Sequence, residues 1–139
     1  MSLKVYLASP YVQKETTTAH AADLEKIGIE VTSTWLKETH PPSVQMADVT
    51  PEQHLQYAEA DVGDIERADV LIFHNDPTKT VIRAGRHVEF GIAVARRMPI
   101  FVVGEEHENV FHHLKLVKHF KTWEDVIAHM KTLAGVWQQ

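Results

Sequence analysis

The sequence contains no cysteine, which excludes disulfide bonds and thiolate metal sites. Its N-terminal apolar run is only a few residues long, and no stretch approaches the roughly 20 apolar residues of a membrane span. Net positive charge is missing too, because the formal charge of −5 provides no general attraction for nucleic acid or an anionic membrane. We therefore expect a cytoplasmic protein that binds a small molecule, with neither a nucleic-acid nor a membrane partner.

Motifs for common cofactors are absent as well. Neither GxxxxGK[ST] nor a GxGxxG after a strand occurs, which argues against an ATPase or a dinucleotide dehydrogenase. The ten histidines form no HExxH motif, and His112 and His113 are adjacent rather than on one helical face. We expect no cofactor and no metal site.

What is present is an alternation of strand and helix patterns over 139 residues, a length that indicates a single domain spanning 1–139. Short apolar or β-rich runs predict strands at 3–9, 29–35, 69–75, 99–104 and 118–122, the last at an edge. Helical spacing and capping residues predict helices within 12–28, 50–68, 85–97 and 122–135. This order predicts a flavodoxin-like three-layer α/β sandwich with a five-stranded, mostly parallel sheet.

Ligands bind such sheets at the carboxyl ends of the strands, and the helix that begins at Gly85 starts from that edge. At 100° per residue its predicted buried face consists of Val88, Gly91, Ile92 and Ala95. Glu89 falls on the opposite face with Arg86. From the pattern alone, Glu89 is an acid near the positive end of a helix, where a pair with Arg86 contributes a few tenths of a kcal/mol.

Two further patterns leave alternatives open. Asp61 lies near the end of a predicted helix and is explained equally well as solvated surface or as a functional acid. A response-regulator receiver has the same order of elements, but it needs an acidic pair after the first strand, where this chain has "ASPY". Of the receiver's acidic positions only Asp76 could serve, so a signalling role is disfavoured.

Four segments, in order, resemble the nucleoside 2-deoxyribosyltransferases and the related 2'-deoxynucleoside 5'-monophosphate N-hydrolases. They are "KVYLASPY", "DVGDIERADVLIF", "GRHVEFGIAVARRMPIFVVG" and "ENVFHHL", and together they span most of the chain. The resemblance implies that Glu89 is the nucleophile that attacks C1' of the sugar. It also implies that Asp61 protonates the leaving base and that Tyr6 holds the nucleophile by a hydrogen bond.

These residue types suit the chemistry, because retaining cleavage of a glycosidic bond uses one carboxylate to capture C1' and one acid to neutralise the leaving group. Covalent capture would allow a second base to accept the deoxyribosyl group. The resemblance therefore implies transfer between nucleobases, without a cofactor. The alternatives are hydrolysis of 2'-deoxynucleoside 5'-monophosphates and, from another class, a nucleotide-binding module without turnover.

The resemblance also implies a substrate site shared between chains. Asn109 matches a position that reaches the neighbouring subunit and binds the sugar 5'-hydroxyl, with Phe111 nearby, so we expect a homo-oligomer of at least two chains. Gly85 would let the backbone approach the sugar closely.

The family places aspartate or serine six residues before the nucleophile, but this chain has Arg83 there. With Arg86 it could accept a 5'-phosphate, or it could be a solvated loop residue, so the choice between nucleoside and nucleotide substrate stays open. At the same edge we expect Ser9 near the substrate, and Tyr11 and Trp35 to sandwich the base.

Overall fold

The computed structural model describes residues 2–38, 49–75, 84–105 and 107–137. The strands of this part of the chain are Lys4–Ala8 (β1), Glu30–Val31 (β2), Val70–His74 (β3), Ile100–Val103 (β4) and Val117–Phe120 (β5). The α-helices are Lys14–Lys26 (α1), Pro51–Glu66 (α2), Gly85–Ala95 (α3) and Trp123–Trp137 (α4). None of these helices is both long and apolar enough to cross a membrane.

The five strands form one parallel sheet in the order β2-β1-β3-β4-β5, the flavodoxin-like order. Helices α1 and α4 pack on one face of the sheet, and α2 and α3 pack on the other. Every residue of the central strand β3 is buried, as its unbroken apolar run predicts. The fold prediction is confirmed, with a sheet that is parallel throughout and β5 at an edge.

The predicted capping residues begin and end helices as expected. Thr50 accepts a hydrogen bond from the backbone N–H of Gln53 in a complete capping box, followed by Pro51 in the first turn. Thr122 accepts a bond from the backbone N–H of Asp125 at 3.2 Å at the start of α4. Gly28 follows α1 with a φ of 85°, a conformation that glycine adopts without steric cost.

The second strand is shorter than predicted. It ends at Val31, and Trp35 lies in a 3-10 helix, Thr34–Lys37, instead of a strand. The ladder stops because Ser33 Oγ accepts the backbone N–H of Leu7 at 2.6 Å, a donor that a continued strand would have used. The chain then leaves β1 and turns toward α2.

The predicted buried face of α3 is wrong. The face that packs on the sheet carries Arg86, Phe90 and Ala93, while Gly91 and Ala95 are exposed and Val88 is 63% exposed. Phe90 gains most from burial, because its ring removes more apolar area from water than small residues can. Its ring therefore sets the rotation of the helix, and Gly91 does not mediate close packing.

Candidate active site

Tyr6 and Glu89 meet between the sheet and α3. Tyr6 is fully buried in the middle of β1, on the face that α2 and α3 cover. Its hydroxyl donates a hydrogen bond to Oε2 of Glu89, which lies half-buried in the first turns of α3. Burial, followed by the charge of Glu89, raises the pKa of Tyr6, so the phenol keeps its proton and remains a donor.

The carboxyl group of Glu89 is held in an environment that opposes its charge. Burial raises the pKa of Glu89 to about 8, and the charges of Asp61 and Asp64 act in the same direction. The hydrogen bond from Tyr6 acts the other way, since it stabilises the ionised carboxylate. A carboxyl group in such a site can act as a nucleophile when it is ionised.

Asp61, on α2, is the second acid of the site. Burial raises its pKa to about 7, with added contributions from the charges of Glu38 and Asp64. Glu89 contributes little because it is still protonated, and therefore neutral, at the pH where Asp61 titrates. The buried Oδ1 atom of Asp61 has no hydrogen-bond partner among the described residues. A carboxyl that titrates near neutrality can act as a general acid.

Asp64, one turn after Asp61, was not predicted as part of the site. It is only 2% exposed, and its Oδ2 accepts hydrogen bonds from the backbone N–H of Thr34 at 2.8 Å and from the Thr34 hydroxyl at 2.6 Å. Arg67 pairs with the other oxygen. The spacing of three residues from Asp61 was visible in the sequence, but the partner on the 3-10 helix was not.

The structure places Tyr11 and Trp35 in a tilted contact. Their ring centroids are 6.2 Å apart with 44° between the planes, whereas a base stacked between two rings needs parallel planes roughly 7 Å apart. Trp35 is buried in the core, and its Nε1 donates to the carbonyl of Leu7 at 3.0 Å. The two rings therefore form no sandwich in this arrangement, in which Trp35 anchors the core, and their contact with a base stays a prediction.

Ser9 lies directly after β1 at the predicted ligand edge. Its hydroxyl accepts a hydrogen bond from the Thr17 hydroxyl of α1 at 2.9 Å. Gly85 begins α3, and a Cβ added there would meet no atom of the described residues within 4 Å. Roles for both residues in substrate binding remain predictions.

Arg86 is an internal residue rather than a free cation. It is 7% exposed, its NH2 lies 2.7 Å from Oε1 of Glu108, and its guanidinium lies 4.9 Å from the centre of the Phe73 ring. Its NH1 donates to Nε2 of His87 at 2.6 Å. The expected pair with Glu89 is wrong, because Glu108 and His87 engage the guanidinium of Arg86, and the expected phosphate role of Arg86 stays a prediction. Arg83 lies outside the described residues.

Asn109 and Phe111 lie beside that ion pair. The Asn109 side chain accepts the backbone N–H of Phe111 at 2.9 Å, and its Nδ2 is 3.5 Å from Nδ1 of His87. Val110 and Phe111 are 75% and 60% exposed. The pairing of Glu108 with Arg86 fixes this segment to α3 and so connects the helix of Glu89 to Asn109.

Histidines cluster elsewhere at the same end of the sheet. His107 stacks between His113 and His119, with centroid distances of 4.4 Å and 4.0 Å. Within 2–38, 49–75, 84–105 and 107–137, no group of three or more His, Asp or Glu side chains is arranged to hold a metal ion.

The structure is an α/β protein with a parallel sheet, one face of which carries two carboxyl groups, Asp61 and Glu89, whose charges interact. The family model described as nucleoside 2-deoxyribosyltransferase matches residues 5–130. The chain therefore belongs to the nucleoside 2-deoxyribosyltransferase family, whose members act on N-glycosidic bonds, as the resemblance predicted.

Solved structures of related proteins share the fold. A 2-deoxyribosyltransferase from Bacillus psychrosaccharolyticus is 23% identical with a TM-score of 0.70, covering 91% of this chain and 95% of that one. The CMP N-glycosidase BcmB from Clostridium botulinum is 19% identical with a TM-score of 0.59, covering 93% and 98%. A response regulator receiver domain protein from Bacillus halodurans has 13% identity and a TM-score of 0.50, covering 94% and 97%. No curated protein sequence gives a significant match.

Proposed function

We propose that this protein cleaves the N-glycosidic bond of 2'-deoxynucleosides and transfers the 2'-deoxyribosyl group to another base through an ester on Glu89. The observation that carries the proposal is the hydrogen bond from the buried Tyr6 to Glu89, with the Asp61 carboxyl raised to a pKa of about 7 beside them. Membership of a family that acts on N-glycosidic bonds supports the same chemistry.

In the first step, Glu89 attacks C1' as the bond to the base nitrogen breaks. The electron pair of that bond goes to the base, which takes the proton of Asp61. Because Tyr6 occupies Oε2, Oε1 is the attacking oxygen. In the second step the nitrogen of an incoming base attacks C1', Glu89 leaves as a carboxylate, and the proton of the incoming base returns to Asp61. Two inversions give retention of configuration.

The reactive form has Glu89 ionised and Asp61 protonated. The two carboxyl groups have pKa values of about 8 and about 7, so moving the single shared proton from Glu89 to Asp61 costs on the order of 1 kcal/mol. That cost is small beside the barrier to breaking a glycosidic bond. The Tyr6 hydrogen bond lowers it, because it stabilises the charged form of Glu89.

A nucleoside is favoured over a 5'-monophosphate because Arg86, one of the two arginines that could bind phosphate, pairs with Glu108. The likeness to a CMP N-glycosidase does not change this preference, since at 19% identity it concerns the fold alone. Hydrolysis of a monophosphate is therefore an outcome that the assay must distinguish.

The exchange assay incubates the protein with deoxyinosine and free adenine and follows the products by chromatography. Formation of deoxyadenosine supports transfer. Release of hypoxanthine without deoxyadenosine, faster from deoxyinosine monophosphate than from deoxyinosine, would instead support hydrolysis. Absence of turnover for all deoxynucleosides and deoxynucleotides would leave a binding module.

We also propose that the active form is at least a dimer in which Asn109 contributes to the neighbouring site. Val110 and Phe111, which follow Asn109 in the chain, and Val88 of α3 are exposed and provide apolar area for a second copy. Mixing an inactive Glu89→Ala chain with an inactive Asn109→Ala chain tests this, because a heterodimer contains one site with neither substitution. About a quarter of wild-type activity should return after subunit exchange. No recovery, with light scattering showing monomers, would contradict the shared site.

A further inference from the structure

Asp64 is a fully buried carboxylate that neither the family resemblance nor the proposed reaction uses. Burying a charge is costly unless hydrogen bonds replace its hydration. Asp64 meets that need with two bonds from Thr34, to the backbone N–H and the hydroxyl, and with the guanidinium of Arg67. Arg67 itself is largely exposed, so its charge is partly screened by solvent.

These bonds tie α2 to the segment that follows β2. The backbone carbonyl of Asp64 also accepts the Thr32 hydroxyl at 2.8 Å, so both the main chain and the side chain of this residue hold the same segment. Thr34 opens the 3-10 helix that carries Trp35, whose indole is bonded to the carbonyl of Leu7 beside Tyr6. Asp64 therefore sets how α2, which carries Asp61, lies against the strand that carries Tyr6.

The charge of Asp64 acts on all three reacting groups. It is a common cause of the raised pKa of Tyr6, Asp61 and Glu89, in each case after burial. A fixed negative charge one turn from Asp61 favours the neutral form of each group.

We propose that Asp64 is a positioning residue of the transfer reaction: its buried carboxylate holds α2 against the 3-10 helix and retains the shared proton on the acids of the site. The inference rests on the proposed function, since it concerns the proton that Asp61 gives to the leaving base. The titratable groups whose charges interact with Asp61 are Asp64 of α2, Glu38 beside the 3-10 helix, Tyr6 of β1 and Glu89 of α3, and Arg67 of α2 pairs with Asp64.

Asp64→Asn tests the charge while keeping the shape. The amide oxygen can still accept both Thr34 bonds, and the exposed Arg67 can turn to solvent. Removing the negative charge should ease ionisation of both Asp61 and Glu89. Both limbs of the pH profile for deoxyribosyl exchange should therefore move to lower pH, by on the order of one pH unit.

Two matched variants separate charge from position. Glu38→Gln removes another charge that acts on Asp61, the group with the lower pKa of the two, and should move the acidic limb to lower pH. Thr34→Val removes one hydrogen bond but leaves the charge of Asp64, so it should slow exchange about tenfold without moving either limb. If Asp64→Asn lowered the exchange rate by the same factor at every pH, it would behave as Thr34→Val is expected to behave. Asp64 would then have only a structural role, and the proposal would be overturned.

Carboxyl-carbon NMR titration of Asp61 gives a readout that needs no turnover. A lower Asp61 pKa in Asp64→Asn than in the wild type supports the effect of the charge, and an unchanged value overturns it. Wild-type protein that fails to exchange bases would contradict the proposed function separately, whatever this titration shows.

Discussion

The two faces of the sheet bury polar groups in opposite ways. Under α1 and α4, His74 bonds through Nδ1 to the carbonyl of Ala8 at 3.1 Å and through Nε2 to Nδ1 of His20 at 3.0 Å. Under α2 and α3, Asp61 has a buried oxygen without a hydrogen-bond partner in the part of the chain that the structure describes, and Glu89 accepts its bond from Tyr6. His74 on the first face thus has a partner at each ring nitrogen, whereas on the second face Asp64 is fully paired but, among the described residues, Asp61 beside it is not.

Burial causes the pKa shifts on both faces, yet with opposite sign. It lowers the pKa of His74 to about 3 and raises those of Asp61 and Glu89, because in each case the neutral form is favoured. At pH 7 a histidine with so low a pKa stays neutral and neither takes up nor releases a proton. A neutral carboxyl at pH 7 is a proton donor, so the same physics gives structure on one face and chemistry on the other.

The largest expected effect is that of Asp61→Asn, which removes the proton donor from the reactive face. Exchange between natural bases should fall by on the order of 10² to 10⁴, the usual contribution of general acid catalysis. A 7-methylated purine deoxynucleoside leaves without needing a proton, so its cleavage should fall much less. Rates for both substrates, measured by chromatography, test this. Equal losses would mean that Asp61 does not protonate the base.

Tyr6→Phe should have the next largest effect. The ring remains in the core, but Glu89 loses the bond that stabilises its charge, which costs roughly 10- to 100-fold in rate. The alkaline limb of the pH profile should also move upward, because that bond lowers the pKa of Glu89, the higher of the two carboxyl pKa values. A slower enzyme with an unmoved alkaline limb would contradict this role.

Glu89→Gln should show how much the raised pKa of Glu89 lowers the stability of the folded protein. In the wild type, the raised pKa favours the protonated folded form, so its stabilising contribution is present below the ordinary glutamate pKa and is lost as pH rises toward about 8. The glutamine variant has no such loss, and its Tm should exceed that of the wild type by a margin that grows between pH 5 and about pH 8. A constant Tm difference across this range would be inconsistent with the raised pKa.

His74→Asn probes the other face and should have the smallest effect on exchange. Asparagine can still donate to the carbonyl of Ala8 but cannot be protonated. The wild-type histidine contributes stability above its ordinary pKa of 6.5, and that contribution is lost as pH falls toward about 3. The variant should show a flatter loss of Tm in acid. A large drop in the rate of base exchange at neutral pH would contradict the claim that the face with His74 takes no part in the reaction.

Most of the fold could be predicted because local signals agreed with it. The capping residue Thr50 and the apolar run of β3 were sufficient to place α2 and the central strand. The rotation of α3 was predicted wrongly because small residues carry little burial energy, and the ring of Phe90 decided it. The end of β2 depended on Ser33 reaching Leu7, a contact between residues 26 apart.

The candidate site, like the fold, could be predicted only in part. Glu89, Asp61 and Tyr6 were identified by resemblance, and the structure brings Tyr6 to Glu89. Asp64 and Glu108 were missed, since their roles depend on Thr34 and Arg86, which lie 30 and 22 residues away in the chain. Pairing over such separations leaves no local pattern, because it is set by the packing of the helices on the sheet.

The covalent ester on Glu89 is the central claim, and intact-protein mass spectrometry tests it most directly. Protein quenched during incubation with a deoxynucleoside, in the absence of acceptor base, should gain the mass of one deoxyribosyl group. Peptide mapping should locate that group on Glu89, and the Glu89→Ala variant should gain nothing. Rapid exchange with no adduct at any quench time, or wild-type exchange by Glu89→Ala, would contradict the mechanism.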